Sequence, residues 1–187
     1  MQVRHLAVSI AITFALATTA FAGSMQSKNP MVGGAAMYAT KDIVDNAVNS
    51  KDHTTLVAAV KAAGLVNTLK SDGPFTVFAP TNAAFAALPA GTVDTLLKPE
   101  NKGTLTAILT YHVVPGALDR KALNAKIKAG GGKATLTTVQ GEALTVSGKG
   151  NKLKVTDAKG NIAKITIGNV YQKNGVIQVV DRVLLPK

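Results

Sequence analysis

The chain has 187 residues, 47% hydrophobic and 17% charged, with 21 Lys and Arg against 10 Asp and Glu, for a formal net charge of +11. It contains no cysteine, which excludes disulfides, a lipid-modified N-terminal cysteine, a zinc–thiolate centre and a cysteine nucleophile. The basic excess is uneven: residues 23–119 are balanced, whereas residues 120–173 hold Arg120 and ten Lys against only Glu142 and Asp157.

Met1 to His5 is basic, Leu6 to Thr19 is apolar, and Ala20-Phe21-Ala22 has small residues flanking a cut site. This is the pattern of a secretory signal peptide cleaved after Ala22. The apolar run is shorter than the ~20 residues of a membrane span, so no span is expected and a secreted or periplasmic protein is. The chain ends at Leu185-Pro186-Lys187 without a hydrophobic tail, so no glycolipid anchor is expected. Residues 23–37 are small, polar and Gly-rich, and read as a flexible lead-in to a domain over residues 38–187.

Thr40 is placed to cap a helix from Asp42 to Val48, with Ile43, Val44, Ala47 and Val48 on one face. Asp52 to Thr54 is placed to cap the next, which carries Leu56, Val57, Val60 and Ala63 and stops at Gly64. A short turn of helix follows over Leu65 to Leu69. Asp72-Gly73-Pro74 makes a turn into Phe75-Thr-Val-Phe-Ala79, a short strand with apolar side chains on both faces and therefore an interior one. Pro80 stops it, and Thr81 or Asn82 caps a helix bearing Phe85 and Leu88 that ends at Pro89. Short helices are expected at Thr92–Leu97 and Asn101–Thr110, then a strand at Val113-Val114 and a third helix capped by Asp119 and broken at Gly130.

From Ala134 the period shifts to that of strands. Leu136 and Val139, Leu144 and Val146, Leu153 and Val155, and Ile165 and Ile167 sit in short runs separated by Gly- and Asn-rich turns. Asn174-Gly175 is expected to turn the last hairpin, and Val183 to Leu185 to add one more strand segment. The fold class is α+β: helices mainly in the N-terminal half, an antiparallel meander in the other.

Three separated motifs, FTVFAPTNAAF from Phe75, YHVVPG from Tyr111 and NGVIQVVDRVLLP from Asn174, resemble in order and spacing the signatures of a fasciclin-type domain, over about Tyr38 to Pro186. The chain looks like a single-domain bacterial member. The resemblance implies a β-wedge or sandwich decorated with helices, with the first and last motifs as core strands. It also implies adhesion or binding without known catalysis, and a protein contact at Tyr111 and His112 with the apolar flank Leu109, Val113 and Val114. Gln178 stands where many members carry His, so a role resting on that His is not transferred.

Beyond His5 the histidines are His53, expected at the surface or in a cap, and His112, expected to be a core residue orienting Tyr111. No G-x-S-x-G, H-E-x-x-H or Walker loop is present, and the acids are scattered singly. No catalytic, cofactor or metal site is therefore expected, and a secreted hydrolase would have to be built on one of those two histidines. Lys149, Lys152, Lys154, Lys159, Lys164 and Lys173 instead form a candidate polyanion face on the hairpins. The expected partner is a surface or matrix protein or an anionic glycan. Export and the lack of stacking aromatics, with Tyr171 alone in that region, argue against nucleic acid.

Overall fold

The computed structural model describes residues 29–187. The signal sequence and the first part of the lead-in lie outside the described residues. A small ribbon, β1 (Met31–Val32) and β2 (Ala35–Ala36), precedes three helices, α1 (Ile43–Ala47), α2 (Thr54–Ala63) and α3 (Val66–Lys70). Strand β3 (Phe75–Pro80) leads to α4 (Asn82–Ala86), α5 (Thr92–Leu96), α6 (Lys102–Tyr111) and β4 (Val113–Pro115). Helix α7 (Arg120–Ala129) introduces the meander β5 (Lys133–Thr137), β6 (Ala143–Lys149), β7 (Lys152–Thr156), β8 (Ile162–Gln172) and β9 (Gly175–Val180).

Seven strands form one sheet in the order β4-β3-β9-β8-β7-β6-β5. Every pairing is antiparallel except β3 with β9, where Val77 lies opposite Ile177 and Phe78 opposite Gln178. Past β5, the Val139 N–H donates to the Val113 carbonyl of β4 at 2.8 Å, so the sheet nearly closes on itself as a barrel. The two strands carrying the first and last motifs thus lie side by side, second and third in this order.

The pleat of β3 divides the core. Val77 and Ala79 join a cluster with Ile43, Val60, Leu105 and Leu109 under the helices, while Phe78 joins Tyr111, Leu144, Val146 and Val155 inside the barrel. Each large side chain buried this way contributes about 2 kcal/mol. Asp119 caps α7 by accepting the Ala122 N–H at 2.8 Å, and Leu123 and Ile127, four residues apart, enter the barrel.

The local chemistry departs from the sequence reading at five places. Asp42, not Thr40, caps α1 through the Asp45 N–H. Helix α2 begins after a 3-10 turn at Lys51–His53, and its N-terminus is capped from a distance: Asn82 Oδ1 accepts the Thr55 N–H at 3.0 Å. The β8–β9 hairpin turns at Lys173-Asn174, with Gly175 already in the strand opposite Gln172. A Cβ on Gly175 would run into the Phe75 carbonyl, so glycine serves close packing there. Val183 to Leu185 forms no strand, because side chains take its amides: Leu184 N–H goes to His112 Nε2 and Leu185 N–H to Asp157 Oδ2. The described part of the lead-in is the β1–β2 ribbon, whose Val32 joins the helical cluster together with Met37 just beyond it.

Asn174 sits 5% exposed at the centre of this framework. Its side chain accepts the Ile43 N–H and donates to the Leu69 and Ser71 carbonyls, while its own carbonyl accepts the Phe75 N–H. One residue therefore holds α1, α3, β3 and the last hairpin together.

Candidate functional site

The sequence offers two candidate surfaces, and the first is not a surface. Tyr111 is fully buried, with its hydroxyl donating to the Ala143 carbonyl and accepting the Ala158 N–H. Burial pushes its phenol pKa up. His112 is 2% exposed; Nδ1 donates to the Ile108 carbonyl at 2.7 Å and Nε2 accepts the Leu184 N–H at 2.9 Å. These partners fix the neutral tautomer, and complete burial lowers its pKa to about 4. Leu109, Val113 and Val114 are buried too. The proposed contact flank is corrected accordingly: the junction of α6 and β4 turns all five side chains inward, so their role is to join the two cores.

His53 also departs from expectation. It is 4% exposed, not a surface residue; Ser50 Oγ lies 2.9 Å from Nδ1, and burial lowers its pKa. Neither histidine ring hydrogen-bonds both a serine and a carboxylate, and among the described residues no group of three or more His, Asp and Glu is placed to hold a metal. Gln178, fully buried, donates to the Leu118 carbonyl and accepts the Asn169 N–H, anchoring the loop before α7.

The lysines are exposed, and strand register sorts them. On β7, Leu153 and Val155 point into the barrel, so Lys152 and Lys154 point out. Lys154 lies directly opposite Lys164 on β8 and opposite Ser147 on β6, and Ser147 lies opposite Lys133 on β5. One line of residues across four strands thus reads Lys133, Ser147, Lys154, Lys164. Lys149 and Lys152 face each other at the adjoining hairpin end. Thr135, Thr145 and Thr156 make a parallel line of hydroxyls beside the first.

Four of the six lysines singled out from sequence therefore share the outer face. Lys159 sits in the β7–β8 turn, held by Asp157 Oδ1 accepting its N–H. Lys173 belongs elsewhere: its N–H donates to the Lys41 carbonyl at the far end of β8, nine residues and ~30 Å of strand from Lys164. Lys133, which the sequence reading left out, joins the face instead. The alternation of Lys133-Ala-Thr-Leu-Thr137 signals its outward direction, but only register reveals its neighbours.

No carboxylate projects from the outward positions of β5–β8, and the ion pairs among the described residues join Lys70 to Asp42 and Asp45, away from this face. Like charges placed directly opposite on a sheet are unfavourable. One carboxylate borders the line: Asp181, just after β9, accepts the Lys164 N–H on Oδ1 at 2.7 Å. Elsewhere the face is basic, with Ser147 within the lysine line and the threonine hydroxyls beside it.

Comparison with known proteins fits this architecture. The family model described as Fasciclin domain matches residues 51–186. The chain is 50% identical over 159 residues to protein sll1483 of Synechocystis, covering 85% of this chain and 81% of that protein. It is 43% identical over 145 residues to the immunogenic protein MPB70 of Mycobacterium bovis, covering 75% of this chain and 66% of the relative. With the cell surface glycolipoprotein MPB83 of the same species it shares 36% over 166 residues, 86% of this chain and 68% of the relative. A solved pair of FAS1 domains from the insect cell adhesion molecule fasciclin I superposes with a TM-score of 0.54 at 21% identity, over 70% of this chain and 43% of that one, a likeness of fold alone. The parallel pairing of the first and last motif strands, the nearly closed seven-stranded sheet and the matched family model together establish that this chain belongs to the fasciclin family.

Proposed function

We propose that this domain is an exported, non-catalytic binding module that contacts an anionic glycan of the cell envelope or matrix through the outer face of β5–β8. The observation that carries the reading is Lys154 set directly opposite Lys164, with Lys133 in the same line and no carboxylate among the outward positions. A fold keeping such a pair at a cost to stability gains from an anion that bridges it. The interleaved Ser147, Thr145 and Thr156 offer hydroxyls suited to a hydroxylated polymer. Relatives named as an immunogenic protein and a cell surface glycolipoprotein support a place outside the cytoplasm. Burial of the Tyr111–His112 flank supports this reading by removing it as a contact surface.

The test is equilibrium binding to polygalacturonate and to neutral dextran at about 20 and 200 mM salt, where the screening length shortens severalfold. Saturable binding to the uronate polymer that fades with salt, and none to dextran, is the expected result. Equal binding to both polymers, or none to either, contradicts the reading.

A further inference from the structure

The helical cluster is not fully packed. Between the helices and the inner face of β3 and β9 lies a cavity of about 60 Å³, in a class of interior where voids larger than a water molecule are few. Its walls are almost wholly apolar and include Val32 and Met37 from the ribbon region, Val44, Val60, Leu69 and Ile177. So small a volume is spread among side chains of the ribbon, α1, α2, α3, α6 and four strands, β3, β4, β8 and β9, which makes the space narrow.

Polar residues interrupt this lining at Ser50, His53, Lys61 and His112. His53 Nδ1 is occupied by Ser50 Oγ, whereas Nε2 is buried and meets no partner in good hydrogen-bond geometry, the Ala79 carbonyl being the acceptor within reach of the ring. Buried polar atoms are rarely left unpaired, and an orphan beside an unfilled apolar space points to a group missing from that space. His112, which also borders the cavity, has both ring nitrogens satisfied. The outer wall is held lightly. Each ribbon strand has two residues paired only with the other, and its turn is tied to the body by the Lys51 N–H donating to the Gly33 carbonyl at 3.1 Å. A two-stranded ribbon of this length is marginal by itself.

We propose that the cavity is a binding site for a slender hydrocarbon bearing one neutral oxygen, a hydroxyl or a carbonyl, which enters beneath the β1–β2 ribbon, displaces Val32 and Met37, and sets its oxygen against His53 Nε2. The apolar walls select the chain, and their narrowness excludes bulky ring systems. A carboxylate head is disfavoured against His53, because the imidazole there is neutral and the one cation of the lining, Lys61, is exposed to solvent. The site shares no residue with the lysine face, so it stands or falls independently of the glycan reading.

The experiment uses the chain expressed from Met1 and purified as the cell delivers it, titrated with 1-decanol while methyl groups are followed by NMR. Saturable shifts at Val32, Val60 and Ile177 are expected, with decanoate at neutral pH binding at least about tenfold more weakly. His53→Leu should weaken decanol by about five- to tenfold, the worth of one hydrogen bond, and narrow the preference over decane-like chains. Val60→Phe, which fills the void, should abolish binding. Because that variant carries a packing risk, xenon added under pressure to the unaltered chain supplies a second reading and should shift the same methyls. Absence of saturable decanol shifts, xenon shifts elsewhere than these methyls, or decanoate binding as tightly as decanol would each overturn the assignment.

Discussion

His112 Nε2 accepts the Leu184 N–H at 2.9 Å across 72 residues of chain, while Nδ1 of the same ring donates to Ile108 one helical turn before it. The imidazole clamps the C-terminal segment onto the end of α6, and both bonds require the neutral ring. Complete burial holds its pKa at about 4, well below the usual 6.5. The unfolded chain therefore binds the proton more readily, and stability rises with pH between about 4 and 6.5. The contribution is fully present above pH 6.5 and is lost as pH falls to about 4, amounting to about 3 kcal/mol. Urea unfolding at pH 7 and pH 4.5 should show this loss, and in His112→Gln most of the pH dependence in this window should vanish, leaving the smaller part due to His53, which is also lowered by burial.

Asn174→Ala removes the acceptor of the Ile43 N–H and the donor to Leu69 and Ser71 in one step. Each buried group left unpaired costs about 1–3 kcal/mol. A loss of roughly 3 kcal/mol or more in urea unfolding is expected. A change below about 0.5 kcal/mol would show that water replaces the side chain without penalty.

Asn82→Ala should lower stability by about 1 kcal/mol or more although it leaves the neighbouring cap of α4 on Thr81 intact, because it removes the acceptor of the Thr55 N–H and the Thr54 hydroxyl and the donor to the Lys51 carbonyl, all at the start of α2. Hydrogen exchange read at the amides of α2 separates the two effects. Faster exchange over Thr54 to Leu56, with α4 unchanged, is the expected pattern.

Lys154→Glu places opposite charges across β7 and β8 in place of like ones. It should raise thermal stability by about 0.5 kcal/mol at low salt, the gain shrinking as salt is added. The same variant should bind polygalacturonate more weakly. A substitution that stabilises the fold while weakening binding is the signature of a surface kept basic for a ligand.

Elements whose cause is local were legible in the sequence, and elements whose cause is distant were not. Phe75 to Pro80 announces an interior strand because both faces are apolar and proline ends it, and Thr81 follows as a cap. Asp119 and Gly64 likewise act on their own helices. Asn82 could not be read as the cap of α2, since it stands 27 residues beyond the amide it serves. Val183 to Leu185 has the composition of a strand, but its amides are taken by His112 and Asp157 from elsewhere in the fold. For the candidate surface, spacing showed that the lysines of β7 alternate outward, while membership was decided by register: it admits Lys133 and leaves out Lys173. A contact at Tyr111 and His112 was implied by the family resemblance alone, whereas the apolar surroundings of His112 already marked it as a core residue, and each polar atom of the pair meets a buried partner.

An anionic ligand on the outer face of β5–β8 would leave its clearest mark on the amides of those strands. Amide resonances of the labelled protein would be followed as a galacturonate oligomer is added at low salt, beside a Lys133→Ser, Lys154→Ser, Lys164→Ser variant. Saturable shifts concentrated at Lys133, Ser147, Lys154 and Lys164, and their loss in the variant, are expected. Shifts centred on the helical face, or unchanged in the variant, would contradict a ligand on this face.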